Sequence, residues 1–294
     1  MNKKYLLLMA VIVWSGVCLA AAPANADGAV DAASLSSLGP TEVYATADDG
    51  TPLRWAVFSP TGEGKHPAVI VIPGGGFIVA RMDTGIGGTA RDLAAAGFIA
   101  FVVEYRLAPP GHIAGQKSAG RFPDQNNDIH LAVRAARHDP RSNGRVVGVG
   151  GSAGAYHVAW AAATGRPGDD QLDAGAALSC AYDFTDAKSL EGREGLKKKL
   201  INFAGSDDRA KLRAASPRFA VTAKTAPLFL LVSENEAAPA RQMLAMVAAL
   251  RDAGLTNFRQ LTLPGDRHSF AYWPTVRDQV ITFLQAVVPR AGVP

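Results

Sequence analysis

An α/β fold, with a mostly parallel sheet and helices on both faces, is what this 294-residue sequence predicts, and three observations predict it. Continuous apolar runs of strand length, PAVIVIP and FIAFVVEY, suit strands buried on both faces of a parallel sheet. Segments with apolar residues at helical spacing alternate with such runs. No repeat, low-complexity block or Pro/Ser-rich linker divides the chain beyond its first residues.

Those first residues read as a targeting segment. MNKKYLLLMAVIVWSGVCLAAAPANADGAV places Lys3 and Lys4 before an apolar run from Tyr5 to about Ala22, and Ala24-Asn25-Ala26 is a small-x-small cleavage pattern. The reading is a signal peptide over residues 1–26, then one domain over 27–294 that is exported, periplasmic or secreted, with no stable membrane anchor. Cleavage removes two lysines and no acidic residue, so the formal charge of +4 becomes nearly balanced. No basic cluster interleaved with aromatics remains, and nucleic acid is not expected as a partner. The one dense basic run, Lys197-Lys198-Lys199, reads as a solvated helix face. Cys18 leaves with the leader, and a lone Cys180 can form no internal disulfide, so the domain relies on its core.

TEVYAT and PLRWAVFSP flank Asp49-Gly50, a hairpin signal, which adds an antiparallel pair at the N-terminus. TARDLAAAG is a helix between the two buried strands and ends at Gly97. Asp128 is placed to cap a helix with Ile129, Val133 and Ala136 on one face, and RVVGVG after it is a strand. GAALSCAY and PLFLLVS are two more strands; residues 186–215 between them are a small lid-like insertion. ARQMLAMVAALRDAG carries Met243, Met246, Val247 and Leu250 at helical spacing, as core residues. FRQLTLPG is the last strand and VRDQVITFLQAVV the last helix. Ligands of such a sheet gather at the carboxyl ends of its strands.

The stretch VVGVGGSAG, residues 146–154, fits two outlines. Gly148-x-Gly150-x-x-Ala153 resembles a dinucleotide phosphate cradle, and Gly150-x-Ser152-x-Gly154 a nucleophile elbow. A cradle belongs on the first βα turn, with an acidic residue at the end of the following strand. Here several strands come first, Asp169, Asp170 and Asp173 precede the next strand, and Asp183 lies too far on. The elbow suits the local sequence, because a serine on a sharp strand-to-helix turn needs small residues two places before and after it. Two further features support it. Gly74-Gly75-Gly76 follows PAVIVIP, where backbone N–H groups of Gly75 and Gly76, with that of Ala153, could hold a developing oxyanion. His268, in LPGDRHSF after the last strand, is placed as a general base better than His66, His112, His130, His138 or His157.

As a set, PGGGF, YRLAP (Tyr105 to Pro109), FPDQNNDIHLAVRAAR, GGSAG, ASP (Ala215 to Pro217) and GDRHSF resemble the α/β-hydrolase esterase/lipase class. They are similar to the hormone-sensitive-lipase-like carboxylesterases and to the PGGG group of acetyl-xylan and feruloyl esterase-like proteins. The resemblance spans nearly all of residues 66–290. It implies a serine hydrolase that cleaves carboxylic esters through an acyl-serine, with Ser152 as nucleophile and His268 as base. The substrate would be a small-molecule ester or esterified saccharide, carrying a short acyl, acetyl or feruloyl group, and neither metal nor cofactor is implied.

Three departures from the family pattern stand out. Pro73 replaces the histidine many relatives carry before the glycines, and Ala155 replaces a common glycine. After PLFLLVS the text is SENEAAP, with Ser233 where glycine is usual and a turn one residue short. Analogy places the acid at Glu236, with Glu234 and Asp183 as alternatives and Asn235 at the acid position if Pro239 sets the alignment. Phe77, Tyr156, Tyr272 and Trp273 adjoin these motifs, either as pocket lining or as plain core. A non-catalytic binding protein on the same fold, or a peptidase of that fold, are the alternatives.

Overall fold

The computed structural model describes residues 35–82, 85–110, 120–236 and 238–288, so the expected signal peptide and His112 lie outside the described residues. Eight strands form one sheet in the order β1-β2-β4-β3-β5-β6-β7-β8. They are β1 (Thr41–Thr46), β2 (Pro52–Phe58), β3 (His66–Ile72), β4 (Ile99–Val103), β5 (Ser142–Gly151), β6 (Ala174–Leu178), β7 (Leu228–Ser233) and β8 (Arg259–Leu263). β1 and β2 pair antiparallel, as do β2 and β4, and every pair from β4 through β3 to β8 is parallel. The Asp49-Gly50 hairpin forms as expected, closed by the Thr51 amide donating to Asp49 Oδ1 at 2.9 Å.

Among the described residues, eight helices, α1 (Ile86–Ala95), α2 (Asp124–His138), α3 (Ala153–Ala163), α4 (Ala187–Leu190), α5 (Glu194–Ala204), α6 (Arg209–Ala214), α7 (Ala240–Asp252) and α8 (Trp273–Val287), connect or follow the strands. Side chains alternate across a strand, so each buried run feeds two cores at once. Ala68, Ile70 and Ile72 of β3 join Leu228, Leu230 and Val232 of β7 in the core beneath α2, α3 and α7. Val69, Val71, Phe229 and Leu231 face the other way, into the core closed by α1 and α8. This is the two-sided burial that the unbroken apolar runs require. Met243, Met246, Val247 and Leu250 are buried along α7, as their spacing predicts.

One helix boundary differs from expectation. α2 begins at Asp124, so Asp128 lies within the helix instead of capping it. Its carboxylate is fully buried and is taken up by Arg106, whose backbone N–H donates at 2.8 Å, Nε at 3.0 Å and Nη2 at 2.8 Å. Arg106 also pairs with Asp48 and Asp49 beside the hairpin, so it pins β4's exit, α2 and the β1–β2 turn together. Residues of two motifs, YRLAP and FPDQNNDIH, thus meet in one buried ion pair.

Removing one member of such a pair leaves an uncompensated buried charge, which costs about 3–5 kcal/mol. Asp128→Ala should therefore lower the stability measured by urea denaturation by about that amount. A loss under about 1 kcal/mol would show that Arg106 is satisfied by its other partners.

Candidate active site

Five neighbouring parallel strands each deliver one part of a site at their carboxyl ends. In sheet order, β3 leads into Gly74-Gly75-Gly76, β5 into Ser152, β6 into Ser179, β7 into Glu236 and β8 into His268. The order follows from parallel pairing, which puts all these strand ends on one edge of the sheet.

Ser152 occupies the sharp turn between β5 and α3, at φ 57° and ψ −118°. A non-glycine residue there costs about 1–3 kcal/mol, and the surroundings must hold it. Its N–H donates to Leu178 O at 2.9 Å, tying the turn to β6. The flanking glycines are sterically required: a Cβ on Gly150 would overlap Gly154 O, and one on Gly154 would overlap Ile72 O. Gly148 has a packing reason of its own, since a Cβ would stand 2.7 Å from Leu172 Cδ1. The acidic residues that follow the cradle outline are engaged elsewhere, Asp169 and Asp170 by Arg134 and Asp173 by Arg137. Of the two glycines in the cradle outline, Gly150 is thus accounted for by the turn and Gly148 by packing.

The glycine triplet lies against that turn, with a Cβ on Gly74 only 3.0 Å from Ser152 Cβ. Gly75 and Gly76 have φ 134° and 64°, and Phe77 follows at φ 69°. Four carbonyls of this loop, those of Pro73, Gly74, Gly75 and Phe77, are occupied. Tyr105 Oη donates to Pro73 O at 2.8 Å, Arg81 N–H to Gly74 O at 3.0 Å, and Val79 N–H to Gly75 O at 3.3 Å. Phe77 O accepts from Ala108 N–H at 2.8 Å and from Gln125 Nε2 at 2.9 Å. With the carbonyls held, the N–H groups of Gly75, Gly76 and Ala153 have no backbone acceptor among the described residues. That is the arrangement an oxyanion would use.

Glu236 and His268 meet directly. His268 Nδ1 lies 2.5 Å from Glu236 Oε2, and Ser233 N–H donates to Oε1 at 2.9 Å. The glutamate side chain is fully buried, while that of the histidine is 40% exposed. Ser233 Oγ donates to Arg267 O at 2.9 Å, so the short turn after β7 also holds the segment that carries the histidine. Of the alternatives, Glu234 is exposed, and Asp183 is bonded to Arg218 Nη1 at 2.8 Å and to Thr185. His268 is the one histidine paired with a carboxylate among the described residues. None of their hydrogen bonds joins Ser152 Oγ to His268 Nε2; such bonds are often long before substrate binds.

Sequence reasoning missed the supports. Ser269, at φ 60°, follows the histidine, its N–H donating to Ser179 Oγ at 2.9 Å. Its own Oγ fills the space a Cβ on Gly151 would need, beside Ser152. Ser179, at φ 66°, anchors its N–H on Leu231 O at 2.8 Å. Nothing in LSCAY or RHSF announces these serines. Gln125 was in view within FPDQ, but only its contact with Phe77 O reveals what it does.

The aromatic candidates divide. Phe77 stacks on Phe203 of α5, with ring centroids 4.1 Å apart, and meets Tyr156 edge-on at 5.2 Å. Trp273 is instead buried in the core on the opposite face, where its Nε1 donates to Asp92 Oδ2 at 2.9 Å. Tyr272 is buried in that core as well, with its hydroxyl on Pro264 O. Both belong to the junction of α8 with the sheet, which faces away from the Phe77 cluster. Burial, with the Glu236 carboxylate nearby, pushes the Cys180 thiol well above its ordinary range, which leaves it a poor nucleophile.

A glycine-triplet loop beside a strained strand-to-helix serine, on an eight-stranded, mostly parallel sheet, defines the α/β-hydrolase fold. Residues 56–250 match the BD-FAE family, and the chain belongs to it. Esterase LipQ of Mycobacterium tuberculosis is 28% identical over 247 residues, 78% of this chain and 56% of LipQ, so the chain spans little more than half that relative's length. The acetyl ester-xyloside bifunctional hydrolase of Caldicellulosiruptor lactoaceticus superposes with a TM-score of 0.67 at 18% identity, covering 84% of this chain and 94% of that one. A thermophilic esterase of Thermogutta terrifontis gives 0.66 at 18% identity, covering 86% and 94%.

Buried His157 supports the loop from beneath. Its Nε2 is bonded to Gln125 Oε1 at 3.0 Å, and its Nδ1 has no partner. Burial lowers its pKa from 6.5 to about 3, so it is neutral in the folded protein. Below pH 6.5 the unfolded chain takes up a proton there that the folded chain refuses. The stabilisation is therefore complete above pH 6.5 and is lost as pH falls toward about 3, at about 1.4 kcal/mol per pH unit. Urea titrations between pH 7 and 4.5 should show this slope, and His157→Gln should flatten it by about that much. An unchanged slope would assign the acid sensitivity to another group.

Proposed function

We propose that this protein is a serine hydrolase of carboxylic esters, acting through an acyl-serine intermediate. The observation that carries the reading is the buried Glu236 carboxylate bound to His268 Nδ1, on the same strand-end edge as the strained Ser152. Glu236 fixes the tautomer, leaving Nε2 free to accept a proton, and stabilises the imidazolium that forms. In this scheme His268 Nε2 takes the Ser152 proton as Oγ attacks the ester carbonyl. The N–H groups of Ala153 and of Gly75 or Gly76 hold the oxyanion. His268 then protonates the leaving alcohol, and a water it deprotonates releases the acid and restores Ser152.

LipQ bears the name of an esterase, and the Thermogutta esterase has been captured with butyrate bound and phosphorylated by paraoxon. These relatives support short-chain acyl esters as the first substrates to try. The acetyl ester-xyloside hydrolase supports esterified saccharides beside them. The leader-like residues 1–26 support an exported protein that meets its ester outside the cytoplasm. Among the described residues no helix is long and apolar enough to cross a membrane. A binding protein on the same fold is the second reading, favoured by the missing Ser152–His268 hydrogen bond.

Hydrolysis of p-nitrophenyl acetate and butyrate by the purified protein decides between them. Ser152→Ala and His268→Ala should each lower kcat by about 10⁴-fold or more, and Glu236→Gln by about 10²- to 10⁴-fold. An inactive parent, or a Ser152→Ala variant at full rate, would sink the hydrolase reading.

A further inference from the structure

The run Lys197-Lys198-Lys199 is more than a solvated helix face, because α5 docks on the glycine loop and turns one of the three lysines toward it. Phe203 stacks on Phe77, which follows the triplet directly. Lys199 is four residues before Phe203 and so shares its face of the helix. A Cβ on Gly76 would meet Lys199 Cδ at 2.7 Å, Cε at 3.2 Å and Nζ at 3.4 Å. The stem of Lys199 therefore lies along Gly76, one of the loop residues whose N–H faces no backbone acceptor.

α5 is fixed in that position. Arg121 Nε donates to Asn202 O at 3.0 Å, Asn202 Nδ2 to Ala108 O at 2.6 Å, and Phe122 N–H to Phe203 O at 2.9 Å. Ala108 in turn donates its N–H to Phe77 O. Among the described residues no carboxylate lies within ion-pair distance of Lys199, although acidic residues occur on the same insertion at Glu191, Glu194 and Asp207. A cation held against a loop of free N–H groups, with its stem along Gly76 and its charge exposed and without an ion-pair partner among the described residues, is disposed to receive an anion.

We propose that Lys199 is a specificity-determining residue that selects esters carrying a carboxylate near the scissile bond. The inference rests on the hydrolase reading above and deepens it by naming the charge of the substrate. The ammonium sits beside the oxyanion loop instead of within it, so it acts on substrate binding and appears in KM. A carboxylate on the bound ester pairs with Nζ, while a neutral ester leaves the lysine in water. Exposed ion pairs are weak, so the effect expected is about 5- to 10-fold, and it falls as salt rises.

Two matched ester pairs test this: the mono-p-nitrophenyl ester of adipic acid against p-nitrophenyl hexanoate, and 4-carboxyphenyl butyrate against phenyl butyrate. The variants are Lys199→Met, which keeps the stem on Gly76, Lys199→Glu, and Lys198→Met, about 100° around the helix. In at least one pair, Lys199→Met should raise KM for the anionic ester about 5- to 10-fold. It should leave the neutral ester, and kcat for both, within about twofold. Lys199→Glu should do more, Lys198→Met nothing, and 0.5 M NaCl should erase the difference. Equal losses on both members of each pair would make Lys199 a general support of the loop and overturn the proposal, as would no loss on any ester. Turnover of no ester by the parent would remove the hydrolase reading itself, and this inference with it.

Discussion

The turn at Ser152 is the constraint on which the rest of the site depends. It is held by close backbone approach, Gly150 against Gly154 and Gly154 against Ile72 O, where no larger residue fits. Strain of this kind persists only where packing over-determines it. The packing here is the centre of the sheet, since β3 from Pro67 and β5 from Val146 are buried and pair in parallel from Ala68 to Ile72. The strain also has company. Among the described residues the non-glycine residues with positive φ are Phe77, Ser152, Ser179 and Ser269, and each borders the same strand-end edge. At about 1–3 kcal/mol each, that is a substantial fraction of the net stability of an ordinary domain.

What offsets the strain is a second layer of polar contacts below the loops. Tyr105, Gln125 and Ala108 fix the Pro73 and Phe77 carbonyls of the glycine loop, Ser233 and Arg267 join the Glu236 turn to the His268 segment, and Ser179 anchors the residue after His268. Arg106 and Asp128 play the corresponding part farther down, where the chain leaves β4 and enters α2. Several of these groups are fully buried, so each contact left unmade would cost more than it contributes when made. The glycine loop is held in place for that reason, and its free N–H groups owe their direction to carbonyls bound elsewhere.

Much of the fold was legible because the relevant signals are local. Unbroken apolar runs gave the parallel strands, Asp49-Gly50 the hairpin, and Gly150, Ser152 and Gly154 the turn, each from residues adjacent in sequence. Long-range partners were not legible. Asp128 had the composition of a cap, yet its partner is Arg106, 22 residues away, and the helix starts at Asp124. Trp273 adjoined a motif in sequence but faces Asp92 across 181 residues. Lys199 looked like its neighbours in a basic run until α5 was seen to pack through Phe203. The acid after β7 was ambiguous for a different reason. A turn shortened by one residue shifts every analogy, and only three-dimensional placement shows that Glu236 is buried against His268 while Glu234 is exposed.

His268 follows β8, the last strand of the sheet, which pairs with β7 alone and is exposed or half-exposed along its length. Ser152 follows β5, which is paired on both sides and buried. The two ends of the proposed proton transfer therefore belong to regions of unequal local stability. Edge strands open by fluctuations far smaller than global unfolding, and the centre of a sheet does not. Fraying of β8 would carry His268 away while Ser152, its strained turn and the glycine loop stayed folded. Such a molecule would keep its compactness and its spectroscopic signature of folding, and would be chemically silent until the edge closed again.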